Sequence, residues 1–265
     1  MKKILIYMVL AAGMMSGCKK VVRMSYSGIF KLEKQVIKGG EKDTLMDLSK
    51  IKIYTDHYYI YGGVGPDTTV HIGLGTYALD SGNTIVEHNI FNNRALDSTQ
   101  IFVVKITPSA NGGRTQFTPE FGRYKGVRYT LTENYTPLKA AAGTSSLDGM
   151  WELDTLFQLK GRDTMRQRET RFKLFWQGHF MSIHRYPVKD ISNKYKNGFS
   201  YGTFTLKNNE LNGNEDMATD TKPGDSRFTA KVTFTGKDKY KQVTIDPKSG
   251  VQTTEVYKRV RQGSY

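Results

Sequence analysis

Gly149-Met150-Trp151-Glu152-Leu153 opens the second half of the chain, and Gly28-Ile29-Phe30-Lys31-Leu32 opens the first half with the same pattern. Further matched segments follow in the same order, about 121 to 127 residues apart. These are Lys52-Ile53-Tyr54 with Lys173-Leu174-Phe175, residues 75–79 with 202–206, residues 102–107 with 228–233, and Glu133-Asn134-Tyr135 with Glu255-Val256-Tyr257. A repeat at a nearly constant offset indicates a duplicated structural unit.

Each unit has the composition of a β-sheet domain. Short alternating runs rich in Val, Ile, Thr, Tyr and Phe are separated by Gly, Asn and Asp, which is typical of antiparallel strands joined by tight turns. The sequence predicts an all-β fold with about 7–8 strands per unit, arranged as up-and-down barrels, with a sandwich as the alternative. We expect one strand over 51–61 and a short helical turn from Asp43 to Ser49.

A small, polar segment separates the two units. Residues 139–145 are poor in strand-forming residues and read as a linker. The predicted domains are therefore 24–138 and 146–262, each with its own interior.

Two features of the second unit resemble the lipocalins. Gly149-Met150-Trp151 matches the Gly-x-Trp at the start of the first lipocalin strand, and Lys258-Arg259 matches a basic pair near the last strand. The resemblance implies a lipocalin-like barrel whose closed end is plugged by Trp151, with Arg259 lying over the ring. In the first unit Phe30 takes the place of the tryptophan, and Thr136-Pro137 takes the place of the basic pair. Phe30 is therefore expected to plug its barrel without a cation over it.

The amino terminus predicts export and lipid anchoring. Lys2 and Lys3 precede an apolar run over 4–14, which is too short to span a membrane as a helix. Met15-Ser16-Gly17-Cys18 resembles the lipobox of bacterial lipoproteins, and Cys18 is the single cysteine of the chain. The sequence predicts a signal peptide over 1–17, a lipid on Cys18 and a tether over 18–23.

The predicted location is the cell envelope. Lys19 follows the cysteine where an aspartate would retain the protein at the inner membrane, so we expect the outer membrane, facing the periplasm. The formal net charge is +14, but export argues against nucleic acid as the partner. The basic residues fit either an anionic membrane surface next to the lipid or a generally soluble basic surface. The sequence names no protein partner.

The sequence predicts no catalytic residues, no metal site and no cofactor. His179 and His184 are separated by an odd number of positions, which puts them on opposite faces of a strand. Neither a Gly-x-Ser-x-Gly nucleophile elbow nor a helix-opening glycine loop occurs. The basic run Arg162, Arg166, Arg168, Arg171 and Lys173 is typical of a solvated face, and the alternative is that it attracts an acidic ligand or a lipid head group.

Three pairs of residues are candidates for a ligand pocket, since the members of each pair share one face of a strand. The pairs are Tyr59 with Tyr61, His184 with Tyr186, and Phe199 with Tyr201. If these faces point inward, the interior is aromatic with polar groups; otherwise the residues are packed core or rim. The leading hypothesis is a non-catalytic binding module for a small apolar or amphipathic ligand. The alternatives are an envelope scaffold with solid-packed barrels and an enzyme whose site is assembled from distant residues.

Overall fold

The structure is a computed structural model that describes residues 26–40, 43–93, 100–161, 163–188, 195–219 and 226–261. The described strands of the first half are β1 Gly28–Lys38, β2 Thr44–Met46, β3 Ser49–Tyr54, β4 Tyr58–Val64, β5 Val70–Leu79, β6 Thr84–Asn92, β7 Ile101–Pro108, β8 Arg114–Tyr124 and β9 Val127–Leu138. Those of the second half are β10 Gly149–Lys160, β11 Asp163–Gln167, β12 Thr170–Trp176, β13 His179–Pro187, β14 Tyr195–Lys207, β15 Glu210–Ala218, β16 Arg227–Phe234, β17 Lys239–Ile245 and β18 Gln252–Arg259.

Each half of the chain forms a closed antiparallel barrel. In barrel 1, β1 and β3 to β9 pair in sequence order, and β1 closes the sheet on β9; β10 and β12 to β18 do the same in barrel 2. The short strands β2 and β11 extend the sheet beside the second halves of β1 and β10. Closure pairs both edges of the sheet, which protects an all-β chain from edge-to-edge association. The prediction of two tandem up-and-down barrels is confirmed, and the sandwich alternative is wrong.

Two local predictions in barrel 1 are wrong. Asp43–Ser49 contains strand β2 rather than a helical turn, because this segment pairs with Gln35–Ile37 of β1. Residues 51–61 form two strands rather than one, since the chain turns back between Thr55 and Tyr58. The Thr55 N–H donates to the Tyr58 carbonyl at 2.8 Å, and the Tyr58 N–H donates to Thr55 Oγ1 at 3.0 Å.

The interiors hold two separate hydrophobic clusters. The interior of barrel 1 contains Phe30, Tyr54, Tyr59, Ile85, Val104 and Tyr135. The interior of barrel 2 contains Trp151, Phe175, Phe180, Leu211, Tyr240 and Tyr257. These residues alternate along their strands with residues that point outward, as a period of two requires.

A third cluster joins the outer faces of the two barrels. From barrel 1 it includes Ile53, Ile60, Ile72, Leu74 and Phe91, and from barrel 2 it includes Phe172, Leu174, Met181, Ile183 and Phe199. Polar contacts border it: Tyr58 Oη donates to the Val260 carbonyl at 3.1 Å, and Arg185 Nη2 donates to the Asn92 carbonyl at 2.6 Å. Strands β3, β4, β12 and β13 are therefore buried on both faces, and apolar burial holds the barrels against each other.

Several predictions lie wholly or partly outside the described residues. The signal peptide over 1–17, the lipid on Cys18 and the tether over 18–23 are outside them. The domain limits 24–138 and 146–262 stay predictions, as does the linker. In the part of the chain that the structure describes, no helix has the length and apolar character needed to cross a membrane.

Candidate ligand-binding site

Barrel 2 holds a cavity of about 320 Å³ that is open to solvent. Its apolar lining comes from Phe175, Phe180, Phe199, Leu211, Ala218 and Phe228. Its charged and polar lining includes Arg171, Lys173, His184, Glu215, Gln242 and Glu255. A volume of this size with a mixed lining is typical of small-molecule sites in proteins.

The cavity exists because small residues face each other on β13 and β14. Ser182 and Ser200 are paired across these strands and both line the cavity. The matched pair in barrel 1 is Tyr61 with Gly73. There the tyrosine ring lies against the glycine so closely that a Cβ at Gly73 would be 2.6 Å from it. Tyr61 thus fills in barrel 1 the space that Ser182 leaves open in barrel 2.

A buried ion cluster forms one wall of the cavity. Lys173 Nζ lies 2.9 Å from Glu255 Oε2, and Arg171 contacts both Glu255 and Glu169. Burial alone would raise the pKa of Glu255, but the charges of Lys173 and Arg171 outweigh it and lower the pKa to about 2. Burial lowers the pKa of Lys173, and Glu255 offsets part of that shift. The cluster therefore places fixed charges of both signs beside the cavity.

The interpretation of Arg171 and Lys173 as a solvated face is wrong. Lys173 is only 8 % exposed, and both residues point into barrel 2 because they alternate with Phe172 and Leu174, which face barrel 1. The repeat held a usable signal: Lys52 matches Lys173, with apolar neighbours on both sides in each unit, and Glu133 matches Glu255. Opposite charges at equivalent positions of the two units indicate buried ion pairs.

The interior of barrel 1 carries a related network. Lys50 pairs with Glu133, and Lys52 Nζ lies 2.7 Å from Glu87 Oε1. Tyr59 Oη donates to Asn89 Oδ1 at 2.6 Å. The four charges are therefore paired among buried tyrosines.

The closed end of each barrel carries an aromatic side chain under an arginine. The Arg259 guanidinium lies 4.0 Å from the Trp151 ring centroid, and Trp151 Nε1 donates to the Leu147 carbonyl at 2.7 Å. In barrel 1 the Arg114 guanidinium lies 3.4 Å from the Phe30 ring centroid. The expectation that Phe30 lacks a cation is wrong, because Arg114 comes from β8 instead of the last strand. Such contacts contribute about 0.5–2 kcal/mol.

The six candidate pocket residues occupy three different places. Tyr59 and Tyr61 face the interior of barrel 1, where they are part of the packed core or lie against it. His184 lines the cavity of barrel 2, and its ring stacks on Tyr186 with centroids 5.7 Å apart. A role of any of the four in ligand contact stays a prediction.

The assignment of Phe199 and Tyr201 to a barrel interior does not fit their placement. Both side chains belong to the cluster between the barrels, although Phe199 also borders the cavity. The physical reason is the alternation along β14: Ser200 and Gly202 pair with inward-facing residues of β13, so Phe199 and Tyr201 point outward. Tyr201 Oη instead lies 2.9 Å from His179 Nδ1.

Metal ligands do not gather in the described part of the chain, where no group of three or more His, Cys, Asp or Glu side chains could hold an ion. His179 lies on the outward face of β13 with Met181 and Ile183, whereas His184 faces the cavity, as the odd spacing requires. His179 Nε2 lies 3.0 Å from the Lys139 carbonyl, and burial lowers the pKa of His179.

Comparison with known proteins gives similarity at the level of solved structures only. No protein-family model matches the chain, and no curated protein does. A lipocalin-like protein from Bacteroides uniformis ATCC 8492 is 17 % identical, with a TM-score of 0.30, over 44 % of this chain and 100 % of that one. A protein of unknown function of the DUF3598 family from Nostoc punctiforme PCC 73102 is 11 % identical, with a TM-score of 0.27, over 89 % of this chain and 96 % of that one. The assignment of two lipocalin-like barrels rests on the order and closure of the strands.

Proposed function

We propose that this protein binds one small amphipathic molecule inside barrel 2. The observation that carries the proposal is the cavity of about 320 Å³, which has phenylalanines on one side and the Arg171–Lys173–Glu255 cluster on the other. Barrels of about eight strands either fill their interior with side chains or hold one small ligand. Barrel 2 fits the second description.

The proposal is for binding without turnover. The charged groups at the cavity are engaged with one another, as Lys173 and Arg171 both contact Glu255. A carboxylate held ionised by two cations is a poor proton acceptor at neutral pH. The scaffold hypothesis suits barrel 1 better, because its interior is occupied by Tyr59, Tyr61 and two ion pairs.

Native mass spectrometry of the full chain purified from its natural host tests the proposal. We expect a bound species that survives gentle ionisation and is lost on denaturation. Ser182→Tyr places in barrel 2 the side chain that Tyr61 provides in barrel 1 and should abolish this species and the binding of a neutral hydrophobic dye. Ser182→Ala keeps the cavity open and is the matched control. Equal binding by the Tyr and Ala variants would sink the proposal.

We also propose that lipid on Cys18 tethers the barrels to the outer membrane, facing the periplasm. The support is the apolar run over 4–14, the Met15–Cys18 segment and the lysine at position 19. Because three acyl chains anchor far more stably than one, the protein should stay with the membrane fraction in high salt. Intact-mass measurement should show a diacylglyceryl and acyl addition that Cys18→Ala removes. An unmodified mature cysteine would contradict the tether.

A further inference from the structure

The wall of barrel 2 has a gap beside the cavity. Strand β10 pairs with β12 only from Gly149 to Glu152, and it pairs with β11 from Leu156 onward. Leu153, Asp154 and Thr155 therefore have no ladder partner on that side. A bulge between Leu153 and Thr155 against β18 widens the bend at the same place.

An open groove of about 800 Å³ lies over this gap. The residues of the gap form one lip, and Arg166, Arg168, Glu169 and Thr170 form the opposite lip. Arg185, Pro187 and Tyr195 extend the groove along the outer wall. The groove and the cavity are close neighbours, because Glu169 lines the groove and contacts Arg171, which lines the cavity.

The corresponding gap in barrel 1 is filled by an apolar side chain. Strand β1 changes partner from β3 to β2 between Lys31 and Gln35. Leu48, which occupies the position matched by Glu169, is 6 % exposed there and packs in the interior cluster. In barrel 2 the ion pair of Glu169 with Arg171 stands where that apolar plug would be.

Among the described residues, the lining of the groove carries three arginines and two carboxylates. Both of these carboxylates contact cations outside the lining: Asp154 contacts Lys239 at 3.3 Å, and Glu169 contacts Arg171. Within the described residues, no carboxylate contacts Arg166, Arg168 or Arg185. Arg185 is instead held by the Asn92 carbonyl and by Asn197 Oδ1 at 3.0 Å. Guanidinium groups match the geometry of carboxylate and phosphate oxygens, which they bind through paired hydrogen bonds.

We propose that this groove binds the anionic group of an amphiphilic ligand, a carboxylate or a phosphate monoester, whose apolar part enters the cavity through the gap between β10 and β12. The inference rests on the proposed function and adds the chemical class of the ligand. Arg166 and Arg168 hold the anion, Arg185 supports it, and the Glu169–Arg171 pair is the part of the wall that the apolar chain passes.

Dansyl-undecanoic acid and its methyl ester test the charge requirement by fluorescence titration at low salt. We expect the acid to bind the full chain at least about tenfold more tightly than the ester. Arg166→Gln with Arg168→Gln should bring the ratio close to one and leave ester binding unchanged. Arg227→Gln with Lys231→Gln, on the outer face of β16, is the matched control and should keep the ratio. A ratio of one in the unaltered protein, or an unchanged ratio in the double arginine variant, overturns the groove assignment while leaving a ligand in the cavity possible.

Competition experiments distinguish a carboxylate from a phosphate monoester as the anionic group that the groove binds. Dodecanoate, dodecyl phosphate and inorganic phosphate are each added to the bound acid probe. Displacement by either amphiphile, but not by inorganic phosphate at the same concentration, supports the proposal and identifies the preferred head group. Failure of both amphiphiles overturns it, and failure of both the acid and the ester to bind at all overturns the cavity proposal as well.

Glu169→Leu tests the route through the wall. It gives barrel 2 the apolar plug that Leu48 provides in barrel 1, and Arg171 keeps Glu255 as its partner. We expect association of both probes to slow at least tenfold, with far-UV circular dichroism unchanged. Glu169→Gln retains a polar side chain and should slow association much less. Unchanged rates in the leucine variant overturn the route.

Discussion

The two barrels share strand order, register and ion-pair positions, but they differ in what fills the interior. Barrel 1 has Tyr61 across from Gly73, whereas barrel 2 has Ser182 across from Ser200. Barrel 1 also has Glu87 where barrel 2 has Gly213, over which the Phe228 ring lies. A few inward-facing positions thus distinguish the two interiors, since large side chains occupy them in barrel 1 and small ones border the cavity in barrel 2.

The buried charged residues of the two barrels also differ in how they are paired. In barrel 1 each buried lysine has its own carboxylate, Glu133 for Lys50 and Glu87 for Lys52. In barrel 2 Gly213 stands at the position of Glu87, and Arg171 and Lys173 both contact Glu255. Arg171 also contacts Glu169 at the gap in the wall.

The largest effect is expected from Glu255→Gln. It leaves Lys173 buried without its carboxylate partner and removes one of two from Arg171, which should lower the free energy of unfolding of barrel 2 by about 3–5 kcal/mol. Both tryptophans, Trp151 and Trp176, belong to barrel 2, so their fluorescence in urea follows that barrel. Glu133→Gln, the matched change in barrel 1, should leave the tryptophan transition nearly unchanged. A Glu255→Gln protein as stable as the original would show that the two barrels do not differ in this way.

Acid should destabilise barrel 2 through Glu255. The pKa of Glu255 is about 2 in the folded protein against 4.5 for the free side chain, so the folded state favours the ionised form. The resulting stability is fully present above about pH 4.5 and is lost as the pH falls toward 2, by up to about 3 kcal/mol. Urea titrations followed by tryptophan fluorescence at several pH values measure this loss. The slope should be reduced in Glu255→Gln, and an identical slope would refute the role of Glu255.

Tyr61→Ser should convert barrel 1 toward barrel 2. Removing a partly buried ring next to Lys50 and Lys52 leaves a cavity and should cost about 2 kcal/mol. Unfolding followed by far-UV circular dichroism, which reports both barrels, measures the change. Tyr61→Phe removes only the hydroxyl group and is the control, with an expected cost below about 1 kcal/mol. Equal costs for the two variants would mean that the ring does not fill the barrel.

The smallest effect concerns the two end plugs. Arg114→Met and Arg259→Met each remove a cation from an aromatic ring and a hydrogen bond to a carbonyl, of Tyr26 and Asp148 respectively. Each should cost about 1–2 kcal/mol in urea unfolding. The arginine lies on different strands in the two barrels. Arg114→Tyr combined with Pro137→Arg moves the arginine of barrel 1 to the last strand, where barrel 2 carries it. This double change should recover part of the stability that Arg114→Met loses. No recovery would show that the two positions are not interchangeable.

The sequence was sufficient for the architecture. Matched segments in the same order, alternating strands and turn residues predicted two closed barrels, and this inference succeeds because local periodicity and chain order are carried by a single sequence. The position of Arg259 over Trp151 was implied by the resemblance of Gly149-Met150-Trp151 and Lys258-Arg259 to lipocalins.

The tertiary structure alone decided which face of each strand is interior. Strands β13 and β14 carry apolar residues on both faces, since one face lines barrel 2 and the other packs against barrel 1. Period-two alternation groups Phe199 with Tyr201 but cannot tell the inside of the barrel from the contact between barrels. The arginine over Phe30, the cavity beside Ser182 and the gap in the wall are likewise contacts between distant strands. Their geometry is set by register and closure, and no local pattern encodes it.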